Sequence, residues 1–300
     1  LTTAKEPEML PYEYARSAVG LGLAHREQLS VNPFDFGMIG SSDIHTALAT
    51  TEEDNYFGKF LHDGPAPGRT ELKMAGQLQQ IWRMVSSGLA GVWSTQNTRE
   101  AIFDAMQRKE VFATTGSRIR VRFFAGWNFD DGTLQDSQWT QKGYAQGVPM
   151  GGQLPATSDA DLAPTLMIKA QKDPNAAHLD RIQVIKGWLD AEGKHHEKIY
   201  DVVASGKRGR NSSNGLFEPV KDTTNLATAT YSNAEGAAQL EGIWRDPDFE
   251  LNQAAFYYVR VLEIPTPRWT SFDAVRFQED RAAGDDGKLQ ERAYTSAVWY

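Results

Sequence analysis

In residues 118–124, Arg-Ile-Arg-Val-Arg-Phe-Phe, charged and apolar side chains alternate through Phe123. A period of two puts Arg118, Arg120 and Arg122 on one face of a strand and Ile119, Val121 and Phe123 on the other. The same texture returns in TLMIKAQ (165–171), RIQVIKGWL (181–189), KIYDVVAS (198–205), LATATY (226–231), AFYYVRVLEI (255–264) and SAVWY (296–300). Between these runs lie turn-rich connections such as KRGRNSSNG (207–215) and RDPDFELNQ (245–253). Short alternating strands joined by such loops predict an antiparallel β-sandwich-like region.

The first hundred residues read differently. YEYARSAVGLGLAHREQL (12–29) has Tyr14, Ala18, Leu21 and Leu29 near one helical face, and FDFGMIGS (34–41) reads as a short buried strand. Residues 58–69 form a long excursion loop. TELKMAGQLQQIWRMVSSG (70–88) spaces Leu72, Ala75, Leu78, Ile81 and Val85 as a helix does, with Gly88 as its stop. NTREAIFDAMQRKE (97–110) is a second helix, capped by Asn97 or Thr98, with Ile102, Ala105 and Met106 inward. The expected architecture is α/β followed by all-β, with the boundary between Glu110 and Arg118 and units of residues 1–114 and 115–300.

Bulk composition excludes several classes. With 39 acids against 31 bases the formal charge is −8, which disfavours nucleic acid and anionic membrane as partners. No apolar run approaches the ~20 residues of a membrane-spanning helix. Cysteine is absent, which removes disulfides, thiolate-ligated zinc and thiol nucleophiles. G-x-S-x-G, phosphate-loop and dinucleotide fingerprints are absent too.

The chemistry-bearing stretch is GSSDIH (40–45). In an extended chain residues i and i+2 share a side, so Asp43 and His45 can aim a carboxylate and an imidazole at one point. That donor pair suits Zn, Mn or Fe, and Ser41 and Ser42 are placed to orient the ligands. The pattern is short, and a lone acid–histidine pair is more often a satisfied hydrogen bond. Two donors also fall short of the usual three. His25, His62, His178, His195 and His196 lie in other segments and add no ligand. Thr114 and Thr115 could bring hydroxyls near the ligands, with Arg118 close to them, although a strand end and a solvated sheet face explain these residues too. Glu52, Glu53 and Asp54 offer acid–base groups, although a capped helix start explains them too. Eight tryptophans, among them Trp127, Trp139, Trp188, Trp244 and Trp269, leave a glycan-binding module open beside their commoner role in cores.

GMIGSSDIHTALATTEEDNYFGK (37–59), SGLAGVWSTQNTREAIFDAMQRKEVFATTGSRIRVRFFAGW (87–127), AAFYYVRVLEIPTPRWTSFDA (254–274) and QERAYTSAVWY (290–300) together resemble a bacterial family of unknown function, three-six-zero-four. That family is similar to the polymerase-and-histidinol-phosphatase (PHP) superfamily of metal-dependent phosphoesterases. The resemblance implies a distorted (β/α)7 barrel whose last strand carries the metal ligands Asp43 and His45. It also implies a β-sandwich that buttresses the barrel or mediates dimer contacts. The early His-x-His pair of such enzymes is not found here, so the chain is expected to be the C-terminal portion of a longer protein. The implied activity is hydrolysis of phosphate or sulfate esters by a metal-activated water. No residue is assigned as general acid or base, and the portion alone is expected to be inactive. The alternative is a non-catalytic interaction or glycan-binding module. Relatives that look exported point to the periplasm.

Overall fold

The alternation at 118–124 delivers a strand with one dry face: Ile119, Val121 and Phe123 are at most 1% exposed. A computed structural model of the chain describes residues 6–73 and 80–300. In chain order the elements are α1 (Ala15–Leu29), β1 (Leu89–Val92), α2 (Arg99–Gln107), β2 (Val111–Thr114), β3 (Arg120–Gly126), α3 (Asp131–Gln135) and α4 (Trp139–Gln146). They continue with β4 (Gly147–Pro149), β5 (Thr165–Gln171), β6 (Leu179–Leu189), β7 (His195–Ala204), β8 (Gln239–Arg245) and β9 (Ala255–Glu263). The chain ends with β10 (Thr266–Pro267), α5 (Trp269–Phe277), β11 (Lys288–Leu289), β12 (Arg292–Thr295) and β13 (Val298–Trp299).

A seven-stranded sheet runs β1-β2-β12-β9-β6-β7, with β13 also on β9, and a four-stranded sheet runs β4-β3-β5-β8. Their inner faces meet in one core, where Val121, Phe123, Leu166 and Ile168 oppose Val184, Val259, Val261 and Ala293. β6 is buried on both sides because its outer face is covered as well. Val19 and Leu23 of α1 pack there on Ile185, Leu189, Phe256 and Tyr258. α3 and α4 cover part of the other sheet's outer face, through Phe124, Met167, Leu134 and Trp139. Where a charge enters this interior it is paired. Lys186 sits 2.7 Å from Asp246, which also accepts from the Tyr257 hydroxyl.

The barrel expectation is overturned. Every ladder between named strands is antiparallel, whereas a (β/α)7 barrel needs parallel strands closed on themselves. The described residues contain five α-helices and no closed barrel. β2, which precedes residue 115, pairs with β12 near the C-terminus, so one sheet spans both sides of the expected boundary. Residues 34–41 form no strand and are only half-buried or exposed. The helix expected over 70–88 is absent at both ends, where single turns at Arg69–Glu71 and Ile81–Arg83 flank a Lys73–Gln80 bridge. Residues 74–79 lie outside the described residues. Ile81 is drawn instead into a small cluster with Tyr56 and Trp269. LATATY makes a tight Asn225–Thr230 turn and not a strand.

α1 docks by way of His195. A Cβ on Gly20 would lie 2.4 Å from the imidazole Cε1, so only glycine lets the helix approach this closely. The ring stacks on Phe256, its Nε2 is buried without a hydrogen-bond partner, and burial pushes its pKa down, helped by His196 and Arg16. Gly20→Val is expected to cost about 1–3 kcal/mol through overpacking, read by chemical denaturation. Because the folded pKa is below the unfolded one, His195 leaves stability intact above pH 6.5 and lowers it as pH falls beneath that value. The melting temperature of a His195→Leu variant should therefore gain on the parent chain as pH drops from 7 to 5.

Candidate functional site

Close backbone contact sets the course of GSSDIH. The Gly40 N–H donates to Leu89 O at 3.1 Å, and the Gly88 N–H donates to Ser41 O at 3.0 Å. A Cβ on Gly40 would lie 2.6 Å from both the Leu89 and Thr114 carbonyl oxygens, and one on Gly88 would lie 2.4 Å from Thr114 O. The two glycines thus let residues 40–41 lie along the start of β1. There the extended course ends. The Ser42 hydroxyl accepts from the Ile44 N–H at 3.2 Å, and Asp43 adopts a left-handed φ of 51°. That region costs a non-glycine residue some strain, least for Asp and Asn.

The turn, and not a strand, brings the pair together. His45 Nε2 lies 3.5 Å from Asp43 Oδ1. Two donors bound at ~2.1 Å to a tetrahedral ion stand roughly 3.4 Å apart, so the separation suits two positions of one shell. Asp43 Oδ2 is paired with the Lys59 ammonium, which holds the carboxyl below its usual range, with His45 adding to the effect. The His45 N–H donates to Lys59 O at 2.9 Å, and its ring packs 4.6 Å from Phe60. The 43–45 turn is therefore clamped to residues 59–60 by main chain and side chain together. The side chains of Asp43 and His45 remain 75% and 52% exposed, open to further donors. Among the described residues no group of three or more Asp, Glu or His side chains is placed to hold a metal ion. Donor type and spacing fit a metal; the number of donors does not complete a shell.

The other candidates gather elsewhere. The Thr115 hydroxyl donates to Glu291, and the Arg118 N–H donates to Asp173 Oδ2 at 2.8 Å. The Arg118 guanidinium lies 3.7 Å from Glu52 and 3.8 Å from Asp173. Arg118, Glu52, Asp173, Ser117, Glu263 and Glu291 line a cavity of about 250 Å³ that neither Asp43 nor His45 touches. Thr114 is buried in β2 with its hydroxyl unpartnered. Glu53 turns to structure, accepting from the Ser86 and Trp269 N–H groups. Trp244 and Trp269 are buried and provide no binding platform, and Trp188 stacks on His196.

Sequence reasoning passed over Glu263, Glu291 and Lys59. Glu263 had a signal, an acid inside the apolar run YYVRVLEI. Burial pushes it up to about 8, with the Glu291 and Asp173 charges adding and the Ser117 hydroxyl, donating at 2.6 Å, opposing. Burial likewise pushes Glu291 up to about 7, against the Thr115 bond.

Burial favours the neutral form of both acids, so their share of stability is full below pH 4.5 and is lost as pH climbs through about 7 and 8. Glu263→Gln should match the parent chain at pH 4 and melt higher at pH 8. The expected gain is on the order of 3 °C, which roughly 1 kcal/mol gives in a chain of this size. Scanning calorimetry at both pH values reads the difference.

No curated protein and no solved structure matches the chain. The model of one family, described as "Protein of unknown function (DUF3604)", matches residues 1–300. The chain belongs to the DUF3604 family.

Proposed function

We propose that Asp43 and His45 are two ligands of a divalent metal centre, Zn, Mn or Fe, in a hydrolase of phosphate or sulfate esters. The observation that carries this reading is their convergence to 3.5 Å on an exposed, clamped turn with a left-handed aspartate. The likeness of GSSDIH to the late ligand pair of PHP phosphoesterases supports it; the barrel of those enzymes is no part of the proposal. A divalent ion bound there would supply Lewis-acid polarisation of the ester and a more acidic water. This chain's own residues prepare the donors. Lys59 keeps Asp43 ionised by pairing with Oδ2 and leaves Oδ1 facing the imidazole. Phe60 fixes the imidazole plane, and the His45 main chain is pinned to Lys59. A catalytic site needs about three protein ligands, so at least one further donor has to join the pair.

The test uses the longest natural polypeptide that contains these residues. Elemental analysis should find metal in the parent protein and a large loss in Asp43→Asn and His45→Ala, with hydrolysis of p-nitrophenyl phosphate or sulfate lost in step. Lys59→Met should weaken metal affinity by about 10- to 100-fold, as loss of a ligand's hydrogen-bond partner does. Full metal content in both ligand variants would refute the proposal.

A further inference from the structure

A second site lies on the outer face of the four-stranded sheet, where α3 and α4 leave it open. Alternation along β3 points Arg120 and Arg122 to that face, and register sets Arg122 opposite Lys169 of β5. Like charges directly across a ladder destabilise a sheet, so this placement needs a compensating reason. The neighbouring strand brings only Glu241, 3.2 Å from Lys169. Arg120 donates to the Gln171 side-chain oxygen at 2.5 Å, and Arg122 donates to the Tyr144 hydroxyl at 2.8 Å. Both partners are neutral, although the Tyr144 hydroxyl in turn donates to Glu110 Oε2 at 2.5 Å. Among the described residues neither guanidinium has a carboxylate within ion-pair distance, in a chain that carries a net charge of −8.

Aromatic rings hold Arg122 and Lys169 in place. The Arg122 guanidinium lies 4.5 Å from the Trp93 ring and 5.4 Å from those of Phe124 and Tyr144, and Lys169 lies 5.1 Å from Trp139. Trp93 is anchored in turn, its indole N–H donating to Val121 O at 2.9 Å. The groove between the two indoles has a volume of about 300 Å³, with the amides of Gln171 and Gln239 at its margin. That is the lower end of the range for small-molecule sites.

We propose that this groove binds a sugar phosphate or sugar sulfate, with the ester oxyanion on Arg120 and Arg122 and the sugar between the indoles and the amides. A pair of guanidinium forks matches a tetrahedral oxyanion, which offers several acceptor oxygens at once. A single pyranose ring presents an apolar C–H face to the indole walls and hydroxyls to the amides. Arg118, at the head of the same run, is paired with Glu52 and Asp173 and takes no part. The site is independent of the metal proposal.

Glucose 6-phosphate, glucose 6-sulfate, inorganic phosphate and glucose are titrated into the protein at low salt, followed by tryptophan fluorescence and calorimetry. One or both esters should bind, more tightly than inorganic phosphate and far more tightly than glucose, and added salt should weaken them. Whichever ester binds better identifies the oxyanion. Arg120→Gln, at an exposed position, should melt like the parent chain and bind at least about tenfold more weakly, the loss expected for hydrogen bonds to a charged group. Asp43→Asn should bind as the parent does. Failure of both esters to bind at millimolar concentration, inorganic phosphate binding as tightly as they do, or unchanged affinity in Arg120→Gln would each overturn the proposal.

Discussion

β12 is four residues long, and the rest of the molecule depends on where it sits. On one side it pairs with β2 through Ala293, Tyr294 and Thr295, and on the other with β9 through Arg292, Ala293 and Tyr294. Without that wedge the β1–β2 pair would have no sheet to join, and a lone two-stranded ribbon is at best marginally stable in water. Side chains reinforce it. The Thr295 hydroxyl oxygen accepts from the Val259 N–H at 2.9 Å. The Ser296 hydroxyl accepts from the Met38 N–H and donates to Val111 O, stitching three distant segments together. The position of β1 then fixes Gly40 and Ser41, and these set the turn that carries Asp43 and His45.

Charge is organised locally. In one cavity, burial favours the neutral forms of Glu263 and Glu291. The outer face of β3 carries Arg120 and Arg122, and among the described residues neither is in direct ion-pair contact with a carboxylate. Net charge alone hides such contrasts, yet they decide which ligands a surface attracts. The same division explains why Arg118 and Arg120, two residues apart in sequence, face different surroundings. Arg118 meets the acidic loop at Glu52 and Asp173, whereas Arg120 meets only the Gln171 amide.

Period-two runs were legible where both strand faces have a single environment. The 118–124 run announced β3, and AFYYVRVLEI announced β9. The capped helix at 97–110 was legible too, because the Thr98 side chain accepts the Ala101 N–H within one turn. Tertiary demands hid the rest. Residues 34–41 have strand-like composition but give their hydrogen bonds to β1 and Ser296, and they form no regular ladder. Around residue 81 the helical spacing of apolar residues lost to the pull of Tyr56 and Trp269 on Ile81. Asp43 and His45 were identified as a pair, yet what unites them is a left-handed turn that spacing does not reveal. Lys59 and Glu291 gave no local sign, since each becomes meaningful only through a partner far along the chain.

Native-state hydrogen exchange on the Gly40 and Gly88 amides tests most directly whether the C-terminal wedge holds the Asp43–His45 turn in place. Both amides should be protected with an opening free energy close to that of the β2 and β9 ladders, and both should lose protection together in Ala293→Pro, which removes a ladder donor from β12. Rapid exchange at Gly40 and Gly88 in the parent chain, or protection that survives the proline, would contradict the account.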